Sequence, residues 1–125
     1  MNIPENLLYT VSHEWVELCG DVAKVGLTAH AAEQLGDIVF VDLPEEGDEV
    51  VAEENLGEVE SVKAVSEVVS PVTGKVSAIN EAVLDDPASV NQDPYAAWLC
   101  EISGVVGKRE LLTPTEYAAL LEKEA

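Results

Sequence analysis

The sequence predicts a mostly β fold with one short internal helix and a second helix near the C-terminal end. Three observations carry this reading. Short apolar runs recur along the chain, turn-forming residues punctuate them at close intervals, and helix-capping signals occur beside just two stretches.

The elements follow in order. Residues 14–18 read as a strand, and Cys19-Gly20-Asp21 turns it into a second strand over 22–27. Gly20-Asp21 supplies the permissive dihedrals of a tight hairpin. Residues 28–35 predict a short helix, with Thr28 as N-cap and Gly36 as its stop. Residues 37–43 form the most strongly β stretch. There Ile38, Val39, Phe40 and Val41 run together, as in a strand buried on both faces. Pro44-Glu45-Glu46-Gly47-Asp48 is a turn before a short strand at 49–51. Two further runs, 56–62 and 65–69, flank Lys63. Ser70-Pro71 ends the second of these, Thr73-Gly74 bends, and 75–79 is another short strand. Residues 80–94 mix Asn, Asp, Pro and Ser as a loop does, and 95–102 reads as the closing strand. In the tail, Thr113, Pro114 and Glu116 make a capping box. Tyr117, Leu120 and Leu121 give one apolar stripe, predicting a helix over about 114–122 that lies on the β core.

Composition bounds the rest. The 125 residues fit a single domain, 1–125, able to bury roughly two-thirds of its unfolded surface. Apolar residues are 47% and interleave with charge, so the acidity does not signal disorder. A net charge of −19 with only six Lys and Arg argues against nucleic acid or an anionic membrane as partner. The acidity fits either a solvated surface or steering toward basic docking faces. No run approaches the roughly 20 apolar residues of a membrane span, and MNIPENLLYT lacks the basic start and apolar core of a signal peptide. A cytoplasmic protein is expected. Cys19 and Cys100, far apart and in strand-like contexts, read as small apolar fillers. With only His13 and His30 available and no clustered ligands, no metal site is expected.

Catalytic signals are poor. With 25 acidic residues, no particular carboxylate pair stands out. Neither a GxSxG elbow nor a GxGxxG or Walker loop occurs. The chain is not expected to be an enzyme.

Lys63 is the exception to this blandness. It lies in Glu58-Val59-Glu60-Ser61-Val62-Lys63-Ala64-Val65, between two apolar β runs. A lysine there either snorkels to solvent or sits where the chain turns outward. Ser-Val-Lys-Ala is read as containing no turn-forming residue, so a hairpin tip would use a type I turn, which most residues tolerate.

Upstream of Lys63 is Gly47-Asp48-Glu49-Val50, and downstream is Ser70-Pro71-Val72-Thr73-Gly74-Lys75-Val76. This spacing resembles the biotinyl/lipoyl domain superfamily. The closer resemblance is to the glycine cleavage H-protein family. It rests on His13-Glu14-Trp15, Gly26-Leu27-Thr28 with His30-Ala31, the run from Leu35 to Val41, Leu43-Pro44, Val59 to Ala64, and Val90-Asn91-Gln92-Asp93-Pro94-Tyr95, in that family's order across about residues 9–102. The ESVKA segment argues against biotin carriers, which usually place Met on both sides of their lysine.

The resemblance implies a flattened β-barrel or sandwich with Lys63 at a hairpin tip. It implies lipoic acid joined to Lys63 by an amide, and a carrier that shuttles an aminomethyl group on that arm. The implied partners are a pyridoxal-phosphate glycine decarboxylase, a tetrahydrofolate-dependent aminomethyltransferase, a flavin (FAD) dihydrolipoyl dehydrogenase, and the enzymes that attach lipoate. Glu60 and Gly74 match positions that the family uses for recognition by lipoylating enzymes, with an exposed strand residue and a plain turn glycine as the alternatives. His30 matches a position near the parked arm, and Glu14 is a candidate for the same cleft, with an ordinary surface role as the alternative for each. Two residues separate Tyr95 from Trp98 where the family usually has three, and Val69 stands in place of a common Tyr. These departures keep open a second reading, an H-like lipoate-binding protein of lipoyl relay or another oxidation pathway.

Overall fold

The computed structural model describes residues 3–124. Its elements are β1 (Leu8–Tyr9), β2 (Glu14–Cys19), β3 (Val22–Leu27), α1 (Ala29–Leu35), β4 (Ile38–Asp42), β5 (Glu49–Val50), β6 (Asn55–Ser61), β7 (Val65–Val69), β8 (Val72–Ile79), α2 (Glu81–Asp85), α3 (Ser89–Gln92), β9 (Cys100–Lys108) and α4 (Pro114–Glu124). One antiparallel sheet has six strands in the order β1-β2-β3-β9-β8-β5, and the other has three in the order β4-β6-β7. The sheets do not close on each other, so the architecture is an open sandwich. Val16, Val25, Val76 and Ile102 of the larger sheet share one buried core with Val41, Val59 and Val68 of the smaller.

Local chemistry accounts for the expected elements. Gly20 at φ +63° makes the β2–β3 turn. Thr28 caps α1, its hydroxyl accepting from the Ala31 N–H, and Gly36 ends that helix at φ +79°. The capping box of α4 is formed in both directions. The Glu116 N–H donates to Thr113 Oγ1 at 3.2 Å, and the Thr113 N–H donates to Glu116 Oε1 at 2.9 Å. The helix then places Tyr117 against β1, stacked on Tyr9 at 4.6 Å within a second cluster that includes Leu7 and Trp15. No helix among the described residues is long and apolar enough to cross a membrane.

Four expectations need correction. Residues 80–94 contain α2 and α3 rather than loop alone. The last strand is Cys100–Lys108, set by pairing along β8, and not 95–102. The β4 strand is not buried on both faces, because Val39 and Phe40 are more than half exposed. A register shift between Ile38 and Phe40 accompanies that outward display. Gly74, read as part of a bend, lies inside β8, with the bend realised as an irregularity in its pairing to β9 between Thr73 and Lys75.

The two thiols also part company. Cys19 is exposed and not a filler, whereas Cys100 is fully buried and burial pushes its thiol up to about 12. At about pH 8 roughly one Cys100 in ten thousand is thiolate, and the thiolate is the nucleophile. Iodoacetamide is therefore expected to modify Cys19 alone in the native chain and both thiols after denaturation, as read by peptide mass. Equal native labelling of Cys100 would contradict this packing.

Candidate functional site

Lys63 sits in the turn between the antiparallel strands β6 and β7, whose register pairs Glu60 with Val65. Residues 62–65 are all exposed, while Ser61 is buried at 6%. Ser61 is the turn former that the sequence reading overlooked. Its hydroxyl oxygen accepts from the N–H of Lys63 at 3.2 Å and of Ala64 at 3.1 Å, and the Ser61 N–H donates to the Ala64 carbonyl at 2.8 Å. A serine hydroxyl thus stands in for a backbone turn acceptor, a recognised habit of this side chain. The signal was present in ESVKA, since serine is a turn residue.

A second layer fixes the turn in space. The Val62 N–H donates to the Asp37 carbonyl at 3.0 Å, tying the tip to the segment between α1 and β4. That segment is clamped by Asn91, whose Oδ1 accepts from the Ile38 N–H at 2.9 Å and whose Nδ2 donates to the Gly36 carbonyl at 2.7 Å. Asn91 belongs to the VNQDPY motif, and the sequence alone assigned it no role. Gly36 also leaves room for the lysine stem: a methyl group there would lie 3.3 Å from Lys63 Cε.

A cavity of about 300 Å³ runs along α1, lined by Leu35, Gln34, Ala31 and His30 on the helix. Leu27, Val59 and Val68 give it an apolar floor, and His13 and Glu124 border it with His30. Both histidines of the chain meet here, with ring centroids 4.5 Å apart. Glu124 Oε1 lies 3.0 Å from His13 Nε2 and 3.8 Å from His30 Nε2. His13 Nδ1 lies 2.8 Å from the Tyr117 hydroxyl, which is 2.7 Å from Thr28 Oγ1. Burial, opposed by the Glu124 carboxylate and reinforced by His30, holds the His13 pKa below the usual imidazole value.

The remaining candidates fall in different places. His30 lines the cavity, but Glu14 is not among its lining residues. Nor is Glu14 a surface residue, since it is wholly buried. Its Oε1 accepts from the hydroxyls of Thr10 at 2.5 Å and Ser12 at 2.6 Å, with Arg109 Nη1 3.6 Å away, and its Oε2 accepts from the Val69 N–H at 3.2 Å. Glu14 therefore anchors the return strand of the lysine hairpin to the larger sheet. Trp15, by contrast, is held through its indole N–H, which donates to the Pro94 carbonyl at 3.0 Å.

Glu60 is exposed on β6 in register with Phe40 of β4 and Val65 of β7, both exposed. The next row on that sheet is Asp42, Glu58 and Glu67, three exposed carboxylates in register. Gly74 is on the other sheet, in the β8–β9 pair, where an added Cβ would meet Ile102 Cγ2 and the Ser103 carbonyl oxygen, each at 2.7 Å. A backbone oxygen cannot give way cheaply, so close approach of the strands requires glycine at that position.

Comparison with known proteins agrees with this arrangement. The sequence model of the family described as Glycine cleavage H-protein matches residues 7–124. A protein of Lachnoclostridium phytofermentans named "Glycine cleavage system H protein" is 51% identical over 125 residues, covering 99% of this chain and 98% of that protein. One of the same name from Rubrobacter xylanophilus is 50% identical, covering 98% and 97%. The crystal structure of a glycine cleavage system H protein from Mycobacterium marinum superimposes with a TM-score of 0.92 at 44% identity, over 96% of this chain and 99% of that one. With the fold, the lysine turn and near full-length similarity in agreement, this chain belongs to the glycine cleavage H-protein family.

Proposed function

We propose that this chain carries lipoic acid as an amide on Lys63 and serves the cytoplasmic glycine cleavage system as its mobile-arm carrier, without catalysing any step itself. One observation supports this most: the lysine is exposed at the tip of a hairpin whose base and flank are fixed by Ser61, Asp37 and Asn91. A rigid platform with a free amine suits a group that must enter several unrelated pockets. Amide formation removes the lysine charge, as acetylation does.

A lipoyl group held on Lys63 would supply a disulfide: its S–S bond would open to accept an aminomethyl group as glycine loses carbon dioxide at a pyridoxal-phosphate glycine decarboxylase, a tetrahydrofolate-dependent aminomethyltransferase would remove that group with release of ammonia, and a flavin-containing dihydrolipoyl dehydrogenase would reoxidise the dithiol. The chain supplies tethering, which raises the effective concentration of the arm at each docked enzyme. It also supplies shelter. The cavity lined by Leu35 of α1 offers apolar walls at Leu27, Val59 and Val68 and a polar end at His30, a suitable resting place that keeps water from a labile adduct.

Recognition by lipoylating enzymes is assigned to the exposed face of the smaller sheet. Phe40, Glu60 and Val65 form an apolar row around one carboxylate, and Asp42, Glu58 and Glu67 flank it. Such a face favours basic docking surfaces and speeds encounter. Gly74 contributes to this face only through the fold, as a spacer between β8 and β9.

The assay is glycine–bicarbonate exchange with purified glycine decarboxylase. The lipoylated chain is expected to sustain exchange and the unlipoylated chain to give background. Exchange that is independent of lipoylation would overturn the proposal, as would turnover by the purified chain alone.

A further inference from the structure

The cavity ends at a constellation of which the carrier reading uses His30 alone. His13 lies in the turn before β2 at the unusual φ of +71°, His30 is in the first turn of α1, and Glu124 closes α4. Three separate elements thus converge two imidazoles and a carboxylate, with one ligand atom from each lying within 4.8 Å of the others. We propose that His13, His30 and Glu124 bind one divalent transition-metal ion, zinc by preference, through the two Nε2 atoms and a carboxylate oxygen, leaving one coordination position open to the cavity.

Three arguments support the site. The first is distance. A tetrahedral zinc with bonds of about 2.0–2.1 Å sets its ligand atoms about 3.3 Å apart. The separations of 3.0 Å and 3.8 Å from Glu124 Oε1 bracket that value, and every pair of ligand atoms lies within 4.8 Å.

The second is the outer shell. A metal on His13 Nε2 leaves the ring proton on Nδ1, where it donates to the Tyr117 hydroxyl 2.8 Å away, and that hydroxyl donates in turn to Thr28 Oγ1 at 2.7 Å. Such partners fix the ring orientation and tautomer of metal-bound histidines.

The third is the donor set and its setting. Two imidazoles and a carboxylate suit zinc far better than magnesium, which prefers oxygen ligands. A net charge of −19 also concentrates divalent cations near the surface. The expectation of no metal rested on there being only two histidines and no clustered ligands, and the fold gathers both histidines with Glu124.

The test uses the full-length unlipoylated chain, so its outcome is separate from that of the carrier proposal. Zinc chloride is titrated calorimetrically in a non-chelating buffer near neutral pH, with magnesium chloride as control. Cobalt(II) absorption then reports the geometry. One zinc per chain is expected, together with intense visible cobalt bands and no comparable binding of magnesium. His30 borders the cavity rather than the packed core and Glu124 is exposed, so His30→Ala and Glu124→Gln should fold, as circular dichroism checks. His30→Ala is expected to weaken zinc by at least about 100-fold, and Tyr117→Phe, which removes only the outer partner, by roughly 10-fold. Zinc binding unchanged in folded His30→Ala would place the ion on the acidic surface and overturn the site. So would the absence of tetrahedral cobalt bands.

Discussion

Lys63→Arg is expected to reduce glycine–bicarbonate exchange to background while leaving the melting temperature within about 3 °C of the parent. Arginine keeps the charge and length of the side chain but has no amine able to form the lipoyl amide. The stem at position 63 is exposed, and the turn is held by the Ser61 hydroxyl and by backbone groups of Val62, Lys63 and Ala64 rather than by the lysine head. Loss of function with retention of fold is therefore the signature of an attachment point. Paired melting curves and exchange rates read both quantities. Full exchange by the variant would transfer the role to another lysine, and a large drop in melting temperature would mean that the ammonium group stabilises the turn.

Glu14→Ala is expected to show the reverse pattern, a large loss of stability from a residue that touches neither the lysine nor the cavity. The carboxylate is fully buried, receives two hydroxyl donors and one backbone N–H, and faces an Arg109 side chain that is only 10% exposed. Deleting it strands the Val69 N–H and leaves the guanidinium without its nearby anion. Breaking such a buried pair costs about 3–5 kcal/mol. That is a large part of the 5–15 kcal/mol that typically holds a small domain together. Glu14→Gln, which keeps the shape and one acceptor oxygen, is expected to lose less. Urea denaturation of both variants measures the difference. A loss under about 1 kcal/mol for Glu14→Ala would contradict the anchoring role. Reduced exchange by Glu14→Gln at undiminished stability would restore a direct part in the cleft.

The sequence was most informative where the cause of structure is local. Gly20 turns a hairpin, Thr28 and Gly36 bound a helix, and Thr113 with Glu116 starts another, because each effect acts within a few residues of its origin. Lys63 was legible for a similar reason, since its flanking motifs are contiguous. The misreadings have tertiary causes. The extent of β9 follows its pairing to β8 past Gly104 and Gly107, which taken alone suggest a loop. Val39 and Phe40 look like core, but the smaller sheet turns them outward beside the lysine hairpin.

Position along the chain hid the other two. Glu14 follows the turn Thr10-Val11-Ser12-His13 and reads as polar surface, yet its partners Val69 and Arg109 arrive from distant strands and loops. The histidine–glutamate cluster joins positions 13, 30 and 124, which no spacing rule connects. Asn91 was visible only as part of a motif, and its clamp on Gly36 and Ile38 requires the folded path of α3 beside α1.

All of this depends on an amine held out at a bend by a stiff frame. Peptide mass mapping after incubation of the full chain with a lipoate ligase and lipoic acid tests it most directly. One lipoyl group on the peptide containing Lys63, and on no other, is the predicted result. Modification at Lys75 instead, or an unmodified chain under conditions that lipoylate a known carrier, would contradict it.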